Sequence, residues 1–375
     1  MSKIHNPFMV YGYAGPEYFC DRETETRKLS DALYNGRNVT LMSPRRVGKT
    51  GLIHNVFYTL QNKYPEAVCF YVDIYATRSL ADFVKAFGET VLGTLDKISD
   101  KVKGTAYQIL THCKISYSSE HLLGGSVTLE FSKEDTEATL RDIFAYLMQA
   151  DKEIYIAFDE FQTINDYPET NVEALLRTYV QQCPTLHFVF SGSKAHMMSA
   201  MFDTPHRPFF RSTEKMTLGV VDREKYYLFA QHHLQTVMTV LPQETFNFIY
   251  QSFEGHTWYV QYILNKLYSQ SLAVIEIQDV EECIQEIVLE NTNDFQRQCR
   301  MLTNNQYALL RAIACSHTVK SINGAEFIRK YDLPATSSIN KALRYLVDNE
   351  FVYQYPDGYQ VYDRFFALWL KRQNL

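Results

Sequence analysis

A chain of 375 residues exceeds the ~100 to 200 residues of a typical domain and predicts two or three of them. With 46% hydrophobic and 21% charged residues it has enough apolar surface for a packed core, which excludes wholesale disorder and collagen-like or low-complexity architectures. A formal charge of −6, from 37 Lys and Arg against 43 Asp and Glu, offers no global positive field to nucleic acid or anionic lipid and leaves only a local basic face for such partners.

The first residues, Met1 to Val10, include Lys3, His5, Asn6 and Pro7 and lack the apolar run of a signal peptide. Strands are predicted at Val39 to Met42, Val68 to Val72, Ile154 to Phe158 and Leu186 to Phe190. Each is short and nearly all apolar, and helical patterns separate them, which is how a parallel sheet covered by crossover helices reads. Between the second and third, Lys114 to Tyr117 and Ser126 to Phe131 flank Gly124-Gly125 and predict an inserted antiparallel hairpin near residues 113–132. From about Met216 to Arg300 a helical period takes over, as at Phe246, Ile249, Tyr250 and Phe253. The resulting expectation is an α/β core over residues 1–215, a helical lid over 216–300 and a third domain over 301–375.

In that third domain, helices are predicted at Asn305 to Cys315, Gly324 to Tyr331 and Ser337 to Asn349. Phe351 to Tyr362 reads as two strands around Pro356-Asp357-Gly358. Three helices and a hairpin make a winged helix. In its presumed recognition helix Ile339, Ala342, Leu343 and Leu346 form the inward stripe, leaving Ser338, Lys341, Arg344 and Tyr345 outward. Ten basic residues against six acidic from Arg300 onward, a balance of +4, favour DNA mildly, whereas the wing has no Lys or Arg and carries Asp357 at its tip. Weak DNA binding and a protein-contacting winged helix both stay open.

No stretch approaches the ~18 uninterrupted apolar residues of a membrane span. Seven scattered cysteines without a C-x-x-C pair read as buried thiols of a reducing compartment, so a cytoplasmic protein without a membrane partner is expected.

Two segments carry chemistry. Ser43-Pro44-Arg45-Arg46-Val47-Gly48-Lys49-Thr50 follows an apolar strand and precedes the helical run Leu52 to Leu60, the context of a Walker A loop. Gly48 lets backbone N–H groups approach phosphates, and the helix N-terminus, through Thr50 and Gly51, adds partial positive charge. Lys49 offers an ammonium to the β- and γ-phosphates, and the Thr50 hydroxyl can ligate Mg²⁺. Ser43 stands where the motif usually has its first glycine. About 110 residues downstream, Ile154 to Phe158 ends in Asp159-Glu160, a Walker B signature in which Asp159 would hold Mg²⁺ through water and Glu160 would orient or deprotonate the attacking water. The next strand ends in Ser191-Gly192-Ser193, where either serine fits a γ-phosphate sensor.

Taken together, Asn6-Pro7-Phe8, Phe19-Cys20-Asp21-Arg22-Glu23, the Walker A loop, Phe158-Asp159-Glu160-Phe161-Gln162 and Phe190-Ser191-Gly192-Ser193 resemble the archaeal-type ATPase family of AAA+ and STAND-related P-loop proteins. The likeness runs over nearly the whole chain. It implies a P-loop NTPase sheet with a helical lid and a C-terminal winged helix, and ATP with Mg²⁺ as ligands. Around Phe19 to Glu23, including Arg22, it implies contacts near the adenine, although Asp21 stands where a glycine is usual. Gly255-His256-Thr257 is similar to a lid segment that faces the nucleotide, which would bring His256 to the phosphates, with Thr257 in place of proline. Arg207 and Arg211 follow the sensor strand where relatives carry arginines that complete an active site. Some relatives carry a nuclease domain, which is not expected within these residues. The functions implied are a slow ATPase coupling nucleotide state to domain rearrangement, a non-hydrolysing nucleotide-gated switch, or a DNA-binding regulator. ATP or ADP, DNA, a protein partner and a second copy of the chain are the candidate partners.

Overall fold

The computed structural model describes residues 5–95, 106–118, 126–150, 152–355 and 357–373. They divide into two compact units, one of Met9–Tyr226 with His256–Trp258 and one of Met1–Phe8, Tyr227–Gly255 and Tyr259–Leu375.

The first unit is built on a five-stranded parallel sheet. Helix α1 (Glu23–Tyr34) leads into β1 (Val39–Met42), α2 (Lys49–Lys63), β2 (Val68–Asp73) and α3 (Leu80–Leu95). The antiparallel pair β3 (Lys114–Ser118) and β4 (Ser126–Glu130) follows, then β5 (Ile154–Asp159), β6 (Leu186–Gly192) and β7 (Glu214–Thr217). The strand order is β2-β5-β6-β1-β7, so the strand ending in Ser191-Gly192 lies between the strand that feeds the loop and the strand that ends in Asp159.

The sheet is covered on both faces, which is why its strands read as continuous apolar runs. Ile154, Ile156 and Phe158 enter one core with Phe70, Phe83, Phe87, Phe188 and Phe190. Their alternates Tyr155 and Ala157 enter the other with Leu41, Leu52, Ile53, Val56 and Val189. Phe158 packs against Phe83 and Phe87, each with ring centroids 5.2 Å away. The inserted hairpin seals the edge of the first core, where Leu129 lies against Gly88 of α3. A Cβ at Gly88 would come within 2.3 Å of the Leu129 side chain, so this helix needs a glycine at the crossing. The expected Gly124-Gly125 turn lies outside the described residues.

The second unit is helical. Phe8 is fully buried there among the rings of Phe229, His233 and Tyr268, and Asn265 fixes it by donating to the Phe8 carbonyl at 2.7 Å. Its C-terminal part holds the three expected helices, at Asn304–Ser316, Ala325–Lys330 and Thr336–Asp348. They are followed by the antiparallel strands β8 (Val352–Tyr355) and β9 (Gly358–Val361). Ile339, Ala342 and Leu346 are buried and Lys341 and Arg344 exposed, as the helical period requires, while Leu343 of the inward stripe and Ser338 and Tyr345 of the outward face are half-buried. Pro356 of the turn lies outside the described residues.

Three features differ from the sequence reading. Strand β7 has no apolar run because it is the exposed edge of the sheet, where charge replaces hydrophobic alternation. A helix at Arg364–Arg372 follows the wing and buries Phe365, Phe366, Trp369 and Leu370. The free cysteines are not uniformly buried: Cys183 and Cys283 are, but Cys315 is exposed at the end of its helix. Among the described residues no helix is long and apolar enough to cross a membrane.

Candidate functional site

The loop after β1 is shaped by two residues in the left-handed region, Arg46 (φ 67°) and Gly48 (φ 104°). Gly48 caps α2, and a Cβ there would meet nothing within 4 Å, so the glycine serves its backbone angle and leaves the approach to the helix N-terminus open. Ser43 is buried, its N–H reaching the Gly192 carbonyl at 3.4 Å and its hydroxyl donating to the Pro44 carbonyl at 3.2 Å. Lys49 is only 6% exposed and donates to the carbonyls of Ser43 at 2.8 Å and Pro44 at 3.1 Å. Burial lowers its pKa, against the opposing pull of Glu160 and Asp159. The ammonium is therefore held by the carbonyls of the loop's own backbone. Thr257 Oγ1 donates to the Val47 carbonyl at 3.1 Å and the Trp258 N–H to the Arg46 carbonyl at 3.0 Å, while the Arg46 guanidinium lies 4.2 Å from the Trp258 ring centroid.

Thr50 Oγ1 donates to Asp159 Oδ2 at 3.1 Å across 109 residues of sequence. A hydroxyl and a carboxylate are hard oxygen donors of the kind that hold Mg²⁺ beside substrate phosphates. Among the described residues no group of three or more His, Cys, Asp or Glu is gathered to cage a metal alone. The donor set thus fits a cation shared with a phosphate. The Tyr71 hydroxyl, from the adjacent strand, also donates to Asp159 Oδ2 and lies 3.4 Å from Thr50 Oγ1. Burial first, then the Asp159 charge, raises the Tyr71 pKa, so it remains a donor.

Glu160 adopts a left-handed conformation (φ 57°) where β5 turns into a 3₁₀ helix. Its Oε2 accepts from Ser193 Oγ at 2.6 Å and from Gln162 Nε2 at 2.5 Å, while Arg45 Nε stands 3.8 Å from Oε1 and 3.4 Å from Ser193 Oγ. Of the two serines at the end of β6, Ser193 touches Glu160. Ser191 Oγ is buried with no hydrogen-bond partner among the described residues.

A family model described as "Probable winged helix domain" matches residues 293–372. A Walker-type ATPase of Pyrococcus abyssi superposes over 97% of this chain and 99% of its own, with a TM-score of 0.70 at 18% identity. The chain has the fold of a P-loop ATPase. The Aeropyrum pernix ORC2 protein, solved in ADPNP–ADP complexes, covers 97% of this chain and 95% of its own with a TM-score of 0.59 at 14% identity. The ORC1 protein of that organism, solved in complex with DNA, covers 98% and 97% with a TM-score of 0.55 at 12% identity. At these identities the likeness is one of fold. None of the curated proteins matches this chain in sequence.

Within this P-loop ATPase fold the remaining expected residues fall into different places. Arg22, 3% exposed, spends its guanidinium on the protein: on Gly219 O at 2.5 Å, Glu25 at 3.1 Å, Val47 O at 3.3 Å and Val220 O at 3.4 Å. It ties the loop to residues 219–220 through the Val47, Gly219 and Val220 carbonyls. Phe19 is the neighbour of the helix start, with its ring 3.0 Å from where a Cβ on Gly51 would stand. His256 is buried in the segment that leads to Thr257. Arg207 pairs with Glu173 at 2.5 Å and Asn165 at 2.6 Å, and Arg211 is exposed with its guanidinium 5.1 Å from the Phe210 ring centroid, so neither joins the Lys49, Asp159 and Glu160 cluster. Tyr71 and Gln162 were not legible as site residues, because each reads as an ordinary member of its element until the neighbouring strand supplies its partner.

Proposed function

We propose that this chain binds ATP with Mg²⁺ at the loop 43–51 and hydrolyses it slowly. The observation that carries the reading is the convergence of Thr50 and Asp159 at 3.1 Å beside the buried Lys49. When bound, the nucleotide supplies the phosphoanhydride to be cleaved, and Mg²⁺ offsets the charge of its phosphates. Lys49 exchanges two backbone carbonyls for phosphate oxygens, and Thr50 with Asp159 holds the cation. Glu160 orients or deprotonates a water, with Ser193 and Gln162 fixing one carboxylate oxygen so that the other is directed. Arg45, beside both Glu160 and Ser193, adds positive charge on that side. The bonds from Thr257 and Trp258 to the loop carbonyls support the further reading that nucleotide state is passed to the first turn of the helix Thr257–Ser269, and so to domain rearrangement.

The test is ATP turnover by the wild type beside Glu160→Gln. The amide keeps size and hydrogen bonding without the carboxylate, so turnover should fall by roughly 10²-fold or more with ATP binding retained. Equal turnover would remove Glu160 from the chemistry. Equal and absent turnover, with binding intact, would favour the nucleotide-gated switch.

A second reading, weak DNA binding through the winged helix, rests on Lys341 and Arg344 standing exposed on the helix Thr336–Asp348. The +4 balance overstates the available charge, because Arg364 is buried and paired with Glu254 at 2.6 Å.

A further inference from the structure

Both carboxylate oxygens of Asp159 are engaged. Oδ1 accepts the Glu160 N–H at 3.0 Å, and Oδ2 accepts the hydroxyls of Thr50 and Tyr71. A cation would draw on Thr50 and Asp159, leaving Tyr71 as a side-chain donor to Asp159. Tyr71 sits on β2 in register with Ala157, two residues before Asp159 on the paired strand, so the sheet fixes the spacing. Its ring is fixed as well: the His54 ring of α2 lies 4.6 Å away, and Tyr13 stacks on His54 at 5.9 Å while its hydroxyl donates to Asn55 Oδ1 at 2.8 Å. A phenylalanine would fill the same space. Among the described residues the hydroxyl adds its contacts with Asp159 and Thr50.

We propose that Tyr71 is a positioning residue for the magnesium site, holding the Asp159 carboxylate through Oδ2 in the orientation that Mg²⁺ requires. The inference rests on the nucleotide reading above. Partners that orient a metal ligand from outside the coordination shell are worth about 10- to 100-fold in metal affinity. Mg²⁺ demands a near-ideal octahedron whereas Ca²⁺ tolerates irregular ligands, so loss of the Tyr71 hydroxyl should weaken Mg²⁺ more than Ca²⁺. A residue that merely packed the sheet would not discriminate between the two ions.

The experiment is a titration of Mg²⁺, and separately of Ca²⁺, into wild type and Tyr71→Phe, each preloaded with a non-hydrolysable ATP analogue and followed by calorimetry. Nucleotide affinity in EDTA is measured on the same samples, which controls for any loss of folded protein. The expected result is a Mg²⁺ midpoint raised about tenfold, a smaller change for Ca²⁺ and an unchanged affinity in EDTA. A Mg²⁺ midpoint shifted less than about threefold or made tighter, or an equal loss for both ions, would overturn the assignment. Failure of the nucleotide reading looks different: the analogue would then not bind the wild type, or would bind Lys49→Ala as tightly, and the assignment to Tyr71 would fall with it.

Discussion

Replacing Arg22 with alanine separates a clamp from a nucleotide contact. The side chain is almost fully buried and its guanidinium satisfies three backbone carbonyls and Glu25. Its shortest bonds, to Gly219 O at 2.5 Å and Glu25 at 3.1 Å, carry most of the effect, since hydrogen bonds to charged groups contribute about 1.5 to 3 kcal/mol each and are not additive. Glu25 is 26% exposed and recovers part of its loss from water, so a total of about 3 kcal/mol is expected, at the low end of what breaking a buried ion pair costs. In a unit of this size ~1 kcal/mol moves the melting temperature by about 2–4 °C, so Arg22→Ala should melt about 6–12 °C lower in EDTA without nucleotide. Arg22→Lys keeps the charge but not the fork and should fall between. A variant that melts within about 2 °C of wild type yet loses its response to ATP would refute the clamp and restore Arg22 to the nucleotide.

Asp21 is held down to about 2 from 3.8: burial pushes it up, but the Lys225 ammonium at 2.7 Å and the Asp222 N–H at 3.1 Å outweigh that. A depressed carboxylate stabilises the fold above its unfolded pKa and loses that contribution as pH falls through the folded one. The stability difference between wild type and Asp21→Asn, measured by urea unfolding, should therefore hold steady above pH 3.8 and shrink toward about 2, and a difference independent of pH there would contradict the ion pair. For the winged helix, two to four phosphate contacts imply a slope of log K against log salt of about −2 to −4, and joint Lys341→Ala and Arg344→Ala should weaken every sequence alike. A nanomolar footprint at one defined site would instead promote the regulator reading.

The loop and the Asp159-Glu160 pair were legible because their signals are local: an apolar strand, a turn of fixed composition and a helix start lie in one stretch of chain. The choice between Ser191 and Ser193 was not, since it depends on which hydroxyl meets Glu160 from the neighbouring strand. The bonds of Arg22 to the loop were illegible for a related reason. Its partners Val47, Gly219 and Val220 are far away in sequence, and a buried arginine satisfied by carbonyls leaves no local pattern. Tyr71 looked like one more large residue in a strand that is half-buried at alternate positions. The helix Arg364–Arg372 has a readable apolar stripe at Phe365, Phe366, Trp369 and Leu370, but three helices and a hairpin complete a winged-helix pattern without it.

Lys49 is proposed to meet nucleotide phosphates, and equilibrium binding of ATP with Mg²⁺ to wild type and Lys49→Ala tests this most directly. In the absence of ligand the variant should remain folded, because removing a buried ammonium relieves a desolvation cost that offsets the two bonds lost to Ser43 and Pro44. With ligand at about 100 times the dissociation constant, the wild type should gain about 2.7 kcal/mol of stability. The variant should gain almost none. Equal binding and equal stabilisation in the two proteins would contradict the account.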